Sequence, residues 1–180
     1  MKAEPPAAPY VATRRGCAGT FGQQMNIMNE PRTIVTFKSD AFNTSQEKPK
    51  FINPGNFGDD VTEWLANELE RRGAVIDRDE DFPGQEDFGW YLDLSLKDKP
   101  YTIVVGRRPG EADDFEWVAW IERQCGFFGS ITGGRNKGIG TEAPQILHQI
   151  LSTSGNVSSI RWHLKTDFDK GKEDSASEKP

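Results

Sequence analysis

The stretch Phe115 to Glu122, FEWVAWIE, carries the side chains best suited to recognition. Phe115, Trp117, Ala119 and Ile121 take one face of a period-two strand, and Val118 and Trp120 take the other. In a sheet covered on one side only, that second face meets water. Tyr91 and Val104 join it from a neighbouring hairpin, with Asp93, Glu116, Glu122, Arg161 and His163 around them. An aromatic and aliphatic centre ringed by charges has the make-up of a protein interface. The expected binding residues are therefore Tyr91, Asp93, Val104, Val118, Trp120 and Arg161. The expected partner is another protein or a second copy of the chain. The alternative is that a loop or the N-terminal segment covers this face.

Reacting groups are harder to assemble. The Gly-rich run GRNKGIG from Gly134 leads into a helix, close to a dinucleotide-binding turn, but about 40 residues remain after it. A Rossmann unit needs a preceding buried strand and a longer βαβ continuation. Gly129 and Gly134 have the P-loop separation, yet Arg135 and Asn136 follow where Lys and Ser or Thr are required. What the loop retains is an anion-binding alternative built on Gly134, Arg135 and Lys137 with the amides that open the next helix. Asp77, Asp79 and Asp81 alternate as in a calcium loop, but the sixth and twelfth positions are Phe82 and Phe88 instead of Gly and Glu. That segment reads as a solvated acidic loop or as a patch facing a basic partner. His148 and His163 are the only histidines, and neither is spaced with a nucleophile or a metal ligand. Cys125 reads as a small buried residue. No catalytic residue, metal or cofactor is expected.

Composition narrows the class further. The net charge of −6 argues against a nucleic-acid surface. Two cysteines, Cys17 and Cys125, cannot form a disulfide framework, which points to a reducing compartment. No apolar run approaches a membrane span. Arg14, Arg15 and Cys17 lack the apolar core of a signal sequence. The expected location is the cytoplasm.

These side chains must be positioned by a small number of elements. Trp90, Leu92, Leu94 and Leu96 alternate with polar residues, and Tyr101, Ile103 and Val105 do so after a turn placed on Asp98, Lys99 and Pro100. This is the pattern of an antiparallel hairpin with one buried face. Further strands are expected at 33–38, 74–76, 115–122 and 159–164. One helix starts near Asp59, with Asp60 and Glu63 spaced as a capping box and Val61, Trp64, Leu65 and Leu69 on one face. A second starts at Thr141, burying Ala143, Ile146, Leu147, Ile150 and Leu151. Residues 1–30 are expected as a disordered leader or mis-assigned start, 31–168 as one domain, and 169–180 as a solvated tail. Two helices cover one face of a sheet, so the expected fold is an α+β two-layer sandwich with a mainly antiparallel sheet of five or six strands.

The EDFGW segment and its hairpin, a Trp-bearing helix before them and the IRW strand at the end resemble small bacterial α+β proteins of unknown function over residues 31–168. The resemblance implies the fold and no activity. Small acidic proteins of this shape include immunity proteins, which neutralise a toxin by stoichiometric binding. The sequence thus supports a non-enzymatic, protein-binding module acting through the open sheet face or the acidic loop. The alternative is a small-molecule or anion binder, or an enzyme, using the Gly-rich loop 126–140.

Overall fold

The computed structural model describes residues 30–109, 114–124 and 138–180. Its elements are β1 (Ile34–Lys38), α1 (Asp59–Glu70), β2 (Val75–Ile76), β3 (Gly84–Glu86), β4 (Gly89–Leu96), β5 (Lys99–Pro109), β6 (Phe115–Arg123), α2 (Glu142–Thr153), β7 (Ser158–His163) and α3 (Lys165–Phe168). The fold is α+β. The described strands form an antiparallel sheet of seven, ordered β2-β4-β5-β6-β1-β7, with β3 beside β2 on the edge of β4. The seventh strand beyond the expected six is β3, whose Gly-Gln-Glu sequence has no apolar alternation to reveal it.

The hairpin that anchors the sheet pairs Trp90 with Val105, Leu92 with Ile103 and Leu94 with Tyr101. Its turn lies one residue earlier than the proline suggests. Lys97 and Asp98 occupy the left-handed region, with φ of 50° and 62°, and Leu96 already pairs with Lys99. Two consecutive positive-φ residues match the twist of the flanking strands, as a primed turn must. Pro100 is tolerated inside β5 beside this turn, and its carbonyl accepts the Gln124 amide at 3.2 Å.

One apolar cluster fills the space between sheet and helices. Val61, Leu65, Ala66 and Leu69 of α1 and Ala143, Leu147, Ile150 and Leu151 of α2 meet Val35, Phe37, Leu92, Ile103, Val105, Ala119 and Ile121. Trp64 lies at its margin, half-buried against Phe42, whose ring also meets Trp117 edge-on. The start of α1 uses no capping box. Gly58 is the N-cap, and Asp60 instead accepts the Asn43 amide at 2.6 Å, tying down the long 39–58 loop. Gly58 adopts φ 142°, and a Cβ there would stand 3.0 Å from Trp90 Cδ1, so the chain passes close over that indole. Trp90 donates to Asn56 O at 2.7 Å, Trp117 to Ser39 O at 3.3 Å and Trp162 to His148 Nδ1 at 3.2 Å. His148 is thereby a structural acceptor on the helix side of the sheet.

The segment beyond Phe168, whose composition predicts a solvated tail, turns back onto the sheet. Ser177 exchanges both backbone hydrogen bonds with Trp162, at 2.7 and 2.9 Å, and so blunts the β7 edge. Glu173 bonds Arg108 at 2.7 and 2.8 Å, and its carbonyl accepts Arg161 at 3.2 Å. Deleting residues 169–180 should therefore cost about 2 kcal/mol, or roughly 4–8 °C in melting temperature for a chain of this size. A melting temperature unchanged within about 1 °C would show that the return of this segment carries no stability.

Candidate functional site

The face of the sheet turned away from α1 and α2 is a groove. Across the strands, Tyr91 stands opposite Val104, Val104 opposite Trp120, and Trp120 opposite Ile34. Gly106 is opposite Val118, and Val118 opposite Thr36. These rows alternate with the core-facing rows by the two-residue period of a strand. Tyr91, Val104, Val118, Trp120 and Ile34 make the apolar floor of a cavity of about 1000 Å³. Phe88 forms one wall, 60% exposed, with its ring 5.9 Å from that of Trp120. Phe168 of α3, with Lys165 and Asp169 beside it, forms the opposite wall.

Two local features shape the floor. Gly84 pairs with Tyr91, and a Cβ at that glycine would fall 2.2 Å from the phenol ring. The edge strand thus needs glycine there so that Tyr91 can lie over it. Trp120 directs its indole N–H to Glu122 Oε1 at 3.2 Å, which keeps the ring on the floor and its polar edge at the rim. Asp93 accepts the Thr102 hydroxyl one strand away.

Electrostatically, the two sides of the groove differ. Burial raises the Tyr91 phenol above its ordinary pKa, and the carboxylates of Asp93, Glu86, Asp79 and Asp81 raise it further. On the other side, Arg108 is held between Glu116, at 2.6 and 2.9 Å, and Glu173, with its guanidinium 4.7 Å from the centre of the Phe168 ring. The hydrogen bond from Arg108 is the main reason that Glu173 stays below the usual carboxylate range.

Behind Phe168, His163 is buried, with its ring 5.1 Å from that of Phe168 and Nε2 3.1 Å from Thr36 Oγ1. Its Nδ1 has no partner among the described residues. Burial pushes its pKa down to about 4; Glu173 opposes this, while Arg108, Arg161 and Arg32 add to it.

Five of the six residues expected on the open face line the groove: Tyr91, Asp93, Val104, Val118 and Trp120. Arg161 shares the face but lies on β7, outside the groove lining, where it holds the returning C-terminal segment. Gly134, Arg135 and Lys137, like Cys17 and Cys125, fall outside the described residues. Sequence reasoning missed Ile34, Phe88 and Phe168. The alternation of Thr33 to Lys38 held the signal for Ile34, whereas nothing local marks Phe88 or Phe168 as walls. The arrangement can hold an apolar body by its floor and orient polar groups at its rim. Among the described residues no group of three or more His, Cys, Asp or Glu side chains is placed to hold a metal ion. No helix among them is long and apolar enough to cross a membrane. Comparison with family models, curated proteins and solved structures finds no match to this chain.

The buried imidazole has a consequence for stability. The unfolded chain takes up a proton at His163 near pH 6.5, whereas the folded chain does so near pH 4. Between those values the unfolded state binds more protons, so stability falls as pH falls through that window. From pH 7 to pH 5 the loss from this group should be about 2 kcal/mol. Urea unfolding at the two pH values reads it, and His163→Gln should remove most of the difference. An unchanged pH dependence in that variant would show that His163 ionises as freely folded as unfolded.

Proposed function

We propose that this protein is a non-enzymatic binding module that engages another protein through the groove on its sheet. One observation carries the reading: the fold leaves an apolar floor, centred on Trp120, Val118 and Val104, open between two aromatic walls. Scattered apolar residues on a surface are ordinary, but a contiguous concave patch flanked by charges has the build of a contact site. The groups around it also favour binding over reaction. Tyr91, with its phenol held protonated, and Thr102, hydrogen-bonded to Asp93, stand without an imidazole or lysine to activate them in the groove's side-chain set other than Lys165, which bonds Asp169.

An immunity-type role, the stoichiometric neutralisation of a toxin, is the sharpest form of this proposal, in a cytoplasmic bacterial setting. The concavity supports a second reading as well. A cavity of about 1000 Å³ is large enough for a small organic ligand, which would make the protein a small-molecule binder on the same residues.

Trp120→Ala tests the proposal. Trp120 is only half-buried, so its loss should cost less than about 2 kcal/mol in unfolding free energy. It should weaken a partner's binding by about 2 kcal/mol or more, as expected for a central aromatic contact. Parallel affinity purification from source cells with the parent protein and the variant gives the readout: a protein retained by the parent and lost by Trp120→Ala. The same proteins retained by both would remove the groove from the binding function.

A further inference from the structure

Carboxylates gather around Tyr91 on the β3 side of the groove. Asp93, Thr102 and Glu122 stand in register on three neighbouring strands, and Glu86 lines the groove on the β3 side. Asp79 and Asp81 act on the Tyr91 phenol in the same sense as Asp93 and Glu86, which adds to the negative potential at that ring. Of the three cations among the described residues that line the groove, two are compensated where they stand, and the third, Arg123, ends β6 in register with the core-facing Tyr101. Arg108 lies between Glu116 and Glu173, and Lys165 bonds both oxygens of Asp169 at 3.0 Å. The whole chain carries a net charge of −6, which attracts positively charged partners over a longer range.

We infer that the occupant of the groove is a segment of a partner protein in which basic side chains stand next to large apolar ones. Its apolar side chains cover Val104, Val118 and Trp120, and its lysines or arginines reach Glu86 and Asp93 beside Tyr91. The inference rests on the protein-binding reading above and supplies the chemistry of the partner. Apolar contact on the floor gives affinity, while the carboxylates set orientation and association rate. A neutral or acidic segment of the same shape would desolvate Glu86 and Asp93 without supplying a counter-charge, which costs free energy and selects against it. Asp93 keeps its neutral donor, Thr102, when a cation arrives, because an ionised carboxylate accepts at several lone pairs.

The experiment is a fluorescence titration of the full chain with two synthetic peptides of equal length, one alternating Leu with Lys and one alternating Leu with Glu. The basic peptide should bind at least about tenfold more tightly than the acidic one. Glu86→Gln with Asp93→Asn should remove most of that preference. Glu63→Gln with Glu178→Gln, which deletes the same charge from exposed positions elsewhere, should leave it in place. Trp120→Ala should weaken the basic peptide as well. If both peptides bind equally and both weaken in Trp120→Ala, the groove is the site and the charge inference is overturned. If the two charge variants behave alike, the preference is a property of net charge and the inference is again overturned. If neither peptide binds, or Trp120→Ala leaves binding unchanged, the groove reading falls and this inference with it.

Discussion

Strand β6 carries large apolar side chains on both of its faces, and water must be managed on both. Trp117, Ala119 and Ile121 point into the cluster closed by α1 and α2, where apolar burial supplies the driving force of the fold. Val118 and Trp120 point the other way, onto the face that receives no long helix. A strand of this kind in the middle of a sheet cannot be satisfied by one layer of helices. The rest of the architecture follows from that constraint. One face is covered as a core, and the other is partly screened by Phe88 from the β3–β4 turn and by the C-terminal segment.

The screening is achieved with few apolar contacts. No residue of α3 is fully buried. The segment is instead held by Arg108, which reaches Glu116 on the neighbouring strand and Glu173 beyond α3, and by a backbone bridge between Ser177 and Trp162. Charge-assisted bonds of this geometry are stronger than isolated surface ion pairs because the donor presents a planar fork to two carboxylates. They fix one wall of the groove without filling it. The result is a face that is neither a second core nor an open plane, with a cavity over Val104, Val118 and Trp120.

Much of this was legible in the sequence where local period decides the outcome. The alternation in Trp90–Leu96 and in Tyr101–Val105 specifies both the hairpin and its buried face, and the double-sided character of 115–122 marks the strand that later floors the groove. Legibility ends where a position depends on partners far along the chain. Pro100 reads as a turn residue, yet the turn closes on Lys97 and Asp98 because a strand next to a turn can spare one amide. Asp60 reads as part of a capping box, yet its carboxylate is taken by Asn43. The run after Phe168 has the composition of a solvated tail, and partners far from it in the chain, Arg108 some 65 positions earlier than Glu173 and the backbone of Trp162, give it a place to bind. Alternation places Arg161 on the open face, but the returning segment takes its guanidinium, which alternation cannot reveal.

The groove over Trp120, and not the helix-covered side, is the proposed place of contact with a partner. The four tryptophan indoles with assigned acceptors report on both sides of the sheet at once. Trp90, Trp117 and Trp162 donate to Asn56, Ser39 and His148 on the helix side, whereas Trp120 donates to Glu122 at the groove rim. An indole N–H NMR spectrum recorded during titration with the alternating Leu–Lys peptide separates them directly. The account predicts that the Trp120 resonance moves or broadens while those of Trp90, Trp117 and Trp162 hold still. Movement of the helix-side indoles with a stationary Trp120 would contradict it.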